Sequence, residues 1–85
     1  MSIMGTTRII EDLEKLLKKR EWIIEQLEAF EKKYNMKTTE FISAWKEGLI
    51  PEPDDPDTHG DFMVWEGLFD ELTKVEEEIR RRIKH

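Results

Sequence analysis

From Thr7 to Tyr34 no glycine or proline follows in the chain, and apolar residues recur in steps of three and four. Ile10, Leu13, Leu17, Ile24, Leu27 and Tyr34 form one seam, with Arg20 and Glu31 in its two remaining slots. This spacing returns side chains to one side of a 3.6-residue helix and does not suit the two-residue alternation of a half-buried strand. Ile9, Leu16, Ile23 and Phe30 add a flanking column seven residues apart, so the apolar face spans roughly 160°. Asn35 tolerates the left-handed conformation that closes a helix. A helix this long and this apolar on one side needs a partner of similar length.

The partner is near the other end of the sequence. Phe62, Trp65, Phe69, Leu72, Ile79 and Ile83 repeat the three-four spacing, with Glu76 in the empty slot and Leu68 and Val75 widening the face. This predicts a helix from near Asp61 to the end of the sequence, with Thr58 and Asp61 as its capping box. Set antiparallel with Tyr34 beside Phe62, the two seams align Leu27 with Phe69, Ile24 with Leu72, Leu17 with Ile79 and Leu13 with Ile83. Arg20 then lies level with Glu76. A charge pair inside an apolar seam selects register more reliably than it stabilises, so this alignment is preferred over slips of seven.

Between the two lies a shorter predicted helix, Thr39 to Glu47, with Thr38 as N-cap and Gly48 as terminator. Phe41, Ile42, Trp45 and Leu49 supply its apolar side. The segment "IPEPDDPD" holds three prolines and reads as a stiff, non-helical acidic connector. The expected fold is all-α: one domain over residues 1–85, a long antiparallel helical hairpin with a short helix and acidic loop across its open end.

Charge narrows the function. Residues 36–73 carry two basic and ten acidic side chains, whereas residues 6–35 are balanced, seven against seven. An acidic middle steers toward a basic partner and away from nucleic acid; no direct nucleic-acid binding is expected. The tail "RRRIKH" is basic, as suits the negative end of a helix dipole. There is no cysteine, hence no disulfide or thiol chemistry. "MSIMGTTRII" lacks the pattern of a signal peptide, and Phe62–Trp65 is the longest apolar run, so a cytoplasmic protein without membrane contact is expected.

The stretch "DPDTHGDFMVWE" approaches the spacing of a calcium loop, with Asp55, Asp57, His59, Gly60, Phe62 and Glu66 at the diagnostic places. His59 offers nitrogen where calcium prefers oxygen, and three prolines deny the loop an entering helix. Asp57, His59 and Asp61 would suit a softer metal no better than marginally. The helix-start reading accounts for the same residues, and no metal or other cofactor is expected.

Two resemblances bear on function. "IEDLEKLLKKREWIIEQL" loosely resembles the first helix of the all-helical chorismate mutases, which would imply a substrate-binding role for Arg20. The span "FEKKYNMKTTEFISAWKEGLI" with "DFMVWEGLFDEL" resembles a group of small prokaryotic helical proteins, some of them antitoxin-like. The matching positions are Tyr34, Met36, Thr38, Thr39, Glu40, Phe41, Gly48, Asp61 and Trp65. Phe41 follows the second threonine by two places rather than three, and Asn35 stands where glycine is commoner. This second resemblance covers about half the chain and implies a non-enzymatic interaction module that masks a basic toxin surface.

The residues themselves suggest where such contacts lie. Trp22 and Met63 fall opposite their helices' apolar faces by the 3.6-residue period, and Asp54, Asp55 and Asp57 supply charge. These five are the expected partner-binding residues. The flanking column Ile9, Leu16, Ile23 and Phe30 is expected to stay partly bare in a monomer, which would make the protein a homodimer. The rival to an antitoxin-like subunit is a homodimeric structural or adapter hairpin; a chorismate-mutase-like enzyme is the remote third.

Overall fold

A rod of 58 × 21 × 18 Å is what two long helices produce when each has one long neighbour. The computed structural model describes the backbone of residues 2–83 and the side chains of residues 10–83. Its helices are α1 (Ser2–Tyr34), α2 (Thr38–Lys46) and α3 (Pro56–Ile83). Helices α1 and α3 pack antiparallel, and α2 lies against both near the Tyr34–Phe62 end. The protein is an all-α hairpin with a short third helix.

The turns follow from local chemistry. Asn35 adopts φ 52°, and the Met36 N–H donates to the Glu31 carbonyl at 3.2 Å, closing α1. Gly48, at φ 73°, does the same for α2, with the Leu49 N–H donating to the Ala44 carbonyl at 2.9 Å.

The expected register holds. Arg20 Nε donates to Glu76 Oε2 at 3.1 Å, and the Tyr34 and Phe62 rings meet edge-on at 5.3 Å. The rotation of α1 about its own axis does not match the expected seam. Ile23 and Leu27 are buried, and Leu13, Leu16, Phe30 and Tyr34 pack against the core, while Ile10 and Leu17 are about half exposed. The column expected to be bare is therefore inside; Ile9 lies outside the described side chains. By the helical period, the buried face is turned about 60° from the seam. The reason lies in one charged slot on each of the facing seams. At the centre of the interface Arg20 and Glu76 would lose their water, a cost their attraction does not repay. Turned to the edge, each keeps about 40% of its side chain exposed and the pair survives. On α3 the seam residues Phe62, Trp65 and Ile79 are inside as expected, and Val75 is buried beside them.

Helix α3 starts at Pro56, five residues before the expected Asp61. Proline at the first helical position loses nothing, since that N–H has no intrahelical partner and φ is already helical. The cap is Asp55, not Thr58: its Oδ2 accepts from the Thr58 N–H at 3.2 Å and the Thr58 hydroxyl at 2.8 Å. Only the connector ahead of Asp55 remains non-helical.

Thr38 is likewise not a cap but the first residue of α2. Its N–H donates to Glu31 Oε2 at 2.8 Å, so a carboxylate from α1 serves the positive end of α2. Its hydroxyl accepts from Trp65 Nε1 at 2.9 Å. Trp65 is fully buried: it stacks on Phe41 at 4.0 Å, on Phe30 at 5.6 Å and on Tyr34 at 5.8 Å. One indole thus joins all three helices, and its single polar atom is satisfied. Leu49, expected on the apolar side of α2, is 70% exposed, because the left-handed turn at Gly48 carries it off that face.

Candidate interaction surface

Asp61 organises the connector end. Its Oδ2 accepts from Lys33 Nζ and from the Tyr34 hydroxyl, both at 2.6 Å, tying the last turn of α1 to the start of α3. Lys33 first and Tyr34 second hold the Asp61 carboxyl below the usual carboxylate range, against a smaller opposing effect of burial. The same hydrogen bond raises Lys33, and desolvation followed by the Asp61 bond raises Tyr34. Thr58 lowers Asp55 through the cap bonds, and Lys19, at 2.6 Å, lowers Glu71.

These shifts have a direction in stability. Carboxyls lowered by folding contribute above their unfolded values and lose that contribution as pH falls through their folded ones. Lys33 and Tyr34, both raised, contribute below their unfolded values and lose it as pH rises through their folded ones. Urea midpoints should therefore be flat near neutrality, fall below roughly pH 4 and fall again above roughly pH 10. Asp61→Asn should flatten part of the acid limb; an unchanged limb would show that the Lys33–Asp61–Tyr34 contact contributes nothing.

The calcium-loop spacing is absorbed by the helix. Asp55 is occupied as a cap, and Asp57 through Glu66 run within α3 rather than around an ion. Among the described residues no three metal-type ligands converge.

The five residues expected to bind a partner are all exposed, but they do not form one patch. Asp54, Asp55 and Asp57 cluster at the start of α3. In the observed register Trp22 is level with Lys74 and Met63 with Lys33, about 16 Å apart along the rod. Trp22 is 54% exposed, whereas Trp65 is buried and Trp45 packs on the core.

A second surface was not legible from the seams. Leu17, Arg20, Glu76, Ile79, Arg80 and Ile83 line an open groove of about 580 Å³ between α1 and α3. It exists because α1 is rotated: seam residues turned out of the interface become the groove's apolar floor. Only the charged slots at Arg20 and Glu76 hinted that the seam could not sit centrally.

The fold and its surfaces define a small helical hairpin with acidic, apolar and mixed faces, and no helix among the described residues is long and apolar enough to cross a membrane. No family model, curated protein or solved structure matches the chain.

Proposed function

We propose that this protein is a non-enzymatic interaction module of antitoxin-like type, whose acidic connector and exposed tryptophan cover a basic surface on a toxin-like partner. The observation that carries this reading is Trp22, the one tryptophan of three that does not pack on the core. An exposed indole can bury much area on binding at little cost in side-chain entropy. Asp54 and Asp57, exposed and in no ion pair among the described residues, suit guidance of a basic partner.

The groups best suited to chemistry have structural work. Arg20 holds Glu76, Asp61 holds Lys33 and Tyr34, and Thr38 holds Trp65. A chorismate-mutase-like role for Arg20 would require it to leave Glu76 for a substrate carboxylate. The adapter reading, a homodimeric hairpin with no toxin, is favoured by the exposed apolar groove.

The test is co-expression with the products of the flanking genes, followed by titration of any basic protein that co-purifies. Trp22→Ala should leave helix content intact and weaken that complex by about 2 kcal/mol or more. Reversing Asp54 and Asp57 together should mainly slow association and reduce its salt dependence. Asp55 is left unchanged because it caps α3. No complex with a flanking product, or equal affinity of Trp22→Ala, would remove the antitoxin-like reading.

A further inference from the structure

One side of the hairpin is only half covered. Arg20 and Glu31 stand three helical turns apart on α1, within about 20° of the same azimuth. Glu31 caps α2, and Arg20 lines the groove. Helix α2 therefore fills the half of this side nearest the connector, inserting Phe41 and Ile42 into the core. The groove is the other half. Its floor is apolar, and Leu17 and Ile83 are 46% and 65% exposed. Its rim carries Arg20, held by Glu76, and Arg80, which makes no ion pair among the described residues.

The connector has the complementary chemistry. Residues 47–57 hold five acids and no base, beside the exposed side chain of Leu49. Glu47, Glu52, Asp54 and Asp57 make no ion pair among the described residues. Within one chain these surfaces cannot meet. Ile79 in the groove and Phe62 beside the connector are separated by about 25 Å of straight helix.

We infer that the groove receives Leu49 and the acidic connector of a second copy of this chain. Two copies laid antiparallel make the contact twice, and the pair closes on itself. Leu49 covers the floor formed by Leu17, Ile79 and Ile83, and the connector acids face Arg80. Each copy carries a net charge of −6, which opposes pairing at long range, so the match is local. The proposal goes beyond the partner reading and does not depend on a toxin-like protein, although both draw on the connector acids, so reversing Asp54 and Asp57 acts on both. Trp22 lies outside this contact, so Trp22→Ala reports on the partner alone, and Arg80→Glu reports on the pairing of copies alone.

The absence of cysteine makes cross-linking clean. Leu49→Cys and Ile83→Cys are made in separate chains, mixed and mildly oxidised, beside each variant alone. Light scattering of the unmodified protein at roughly tens of micromolar should show a dimer. The mixture should give a 49–83 disulfide in excess of 49–49 and 83–83. Leu17→Glu and Arg80→Glu should each weaken the dimer about tenfold or more with unchanged helical circular dichroism. A monomer at that concentration overturns the proposal. So does a dimer that cross-links 49–49 in preference to 49–83, or one that survives Arg80→Glu at full strength. If Leu17→Glu loses helix, the surface variant Arg80→Glu and the cross-link still decide the matter.

Discussion

Trp65→Ala is expected to cost about 3–5 kcal/mol of stability, read as a shifted urea midpoint with little change in slope. A chain of this size has roughly 4–13 kcal/mol in total, so the variant should be marginal or unfolded at physiological temperature. The size of the effect follows from the position of the ring. Trp65 is the one side chain that stacks on α1 through Phe30 and Tyr34 and on α2 through Phe41. Its removal leaves a large void among Phe30, Tyr34 and Phe41. It also leaves the Thr38 hydroxyl, which is buried, without its donor. Trp65→Phe keeps most of the stacking and loses the indole N–H, so a smaller loss is expected. A cost below about 1 kcal/mol for the alanine variant would mean that the aromatic stack is not what holds α2 to the hairpin.

The second large effect separates two faces of α1. Ile23→Ala should cost about 2–5 kcal/mol, because Ile23 is almost fully buried between the helices. Leu17→Ala should cost less than about 1 kcal/mol in the monomer, because nearly half of Leu17 is already in water. The two are compared by urea unfolding at low protein concentration, where any contact between copies is dissociated. The three-four seam, taken alone, ranks them in the opposite order. If Leu17 proved the more costly, α1 would be rotated as that seam suggests, and the groove would not exist.

The candidate partner-binding residues were less legible than the fold. The helical period places Trp22 and Met63 away from the core, and both are exposed. Spacing along one helix does not say whether residues on two helices share a patch, and here Trp22 stands well apart from Met63 and the connector acids. Leu49 looked like part of the apolar side of α2. One left-handed residue at Gly48 was enough to turn it to solvent.

Three helices, the left-handed closures at Asn35 and Gly48, the antiparallel pairing and its register follow from the order of residues along the chain. These are local or pairwise properties. Helical period, the conformational freedom of asparagine and glycine, and one charge pair between two seams are enough to set them. How far α1 is turned, where Thr38 and Glu31 spend their hydrogen bonds, and which apolar residues remain in water are set when the three helices pack. Those outcomes depend on several elements at once. Desolvation of Arg20 and Glu76 moves them to the edge, the Trp65 ring draws Phe30, Tyr34 and Phe41 around itself, and α2 covers one half of a side while leaving the other half open. A seam on one helix records that a side is apolar; the angle at which that side meets its neighbours is set by the charges and rings they bring to the same place.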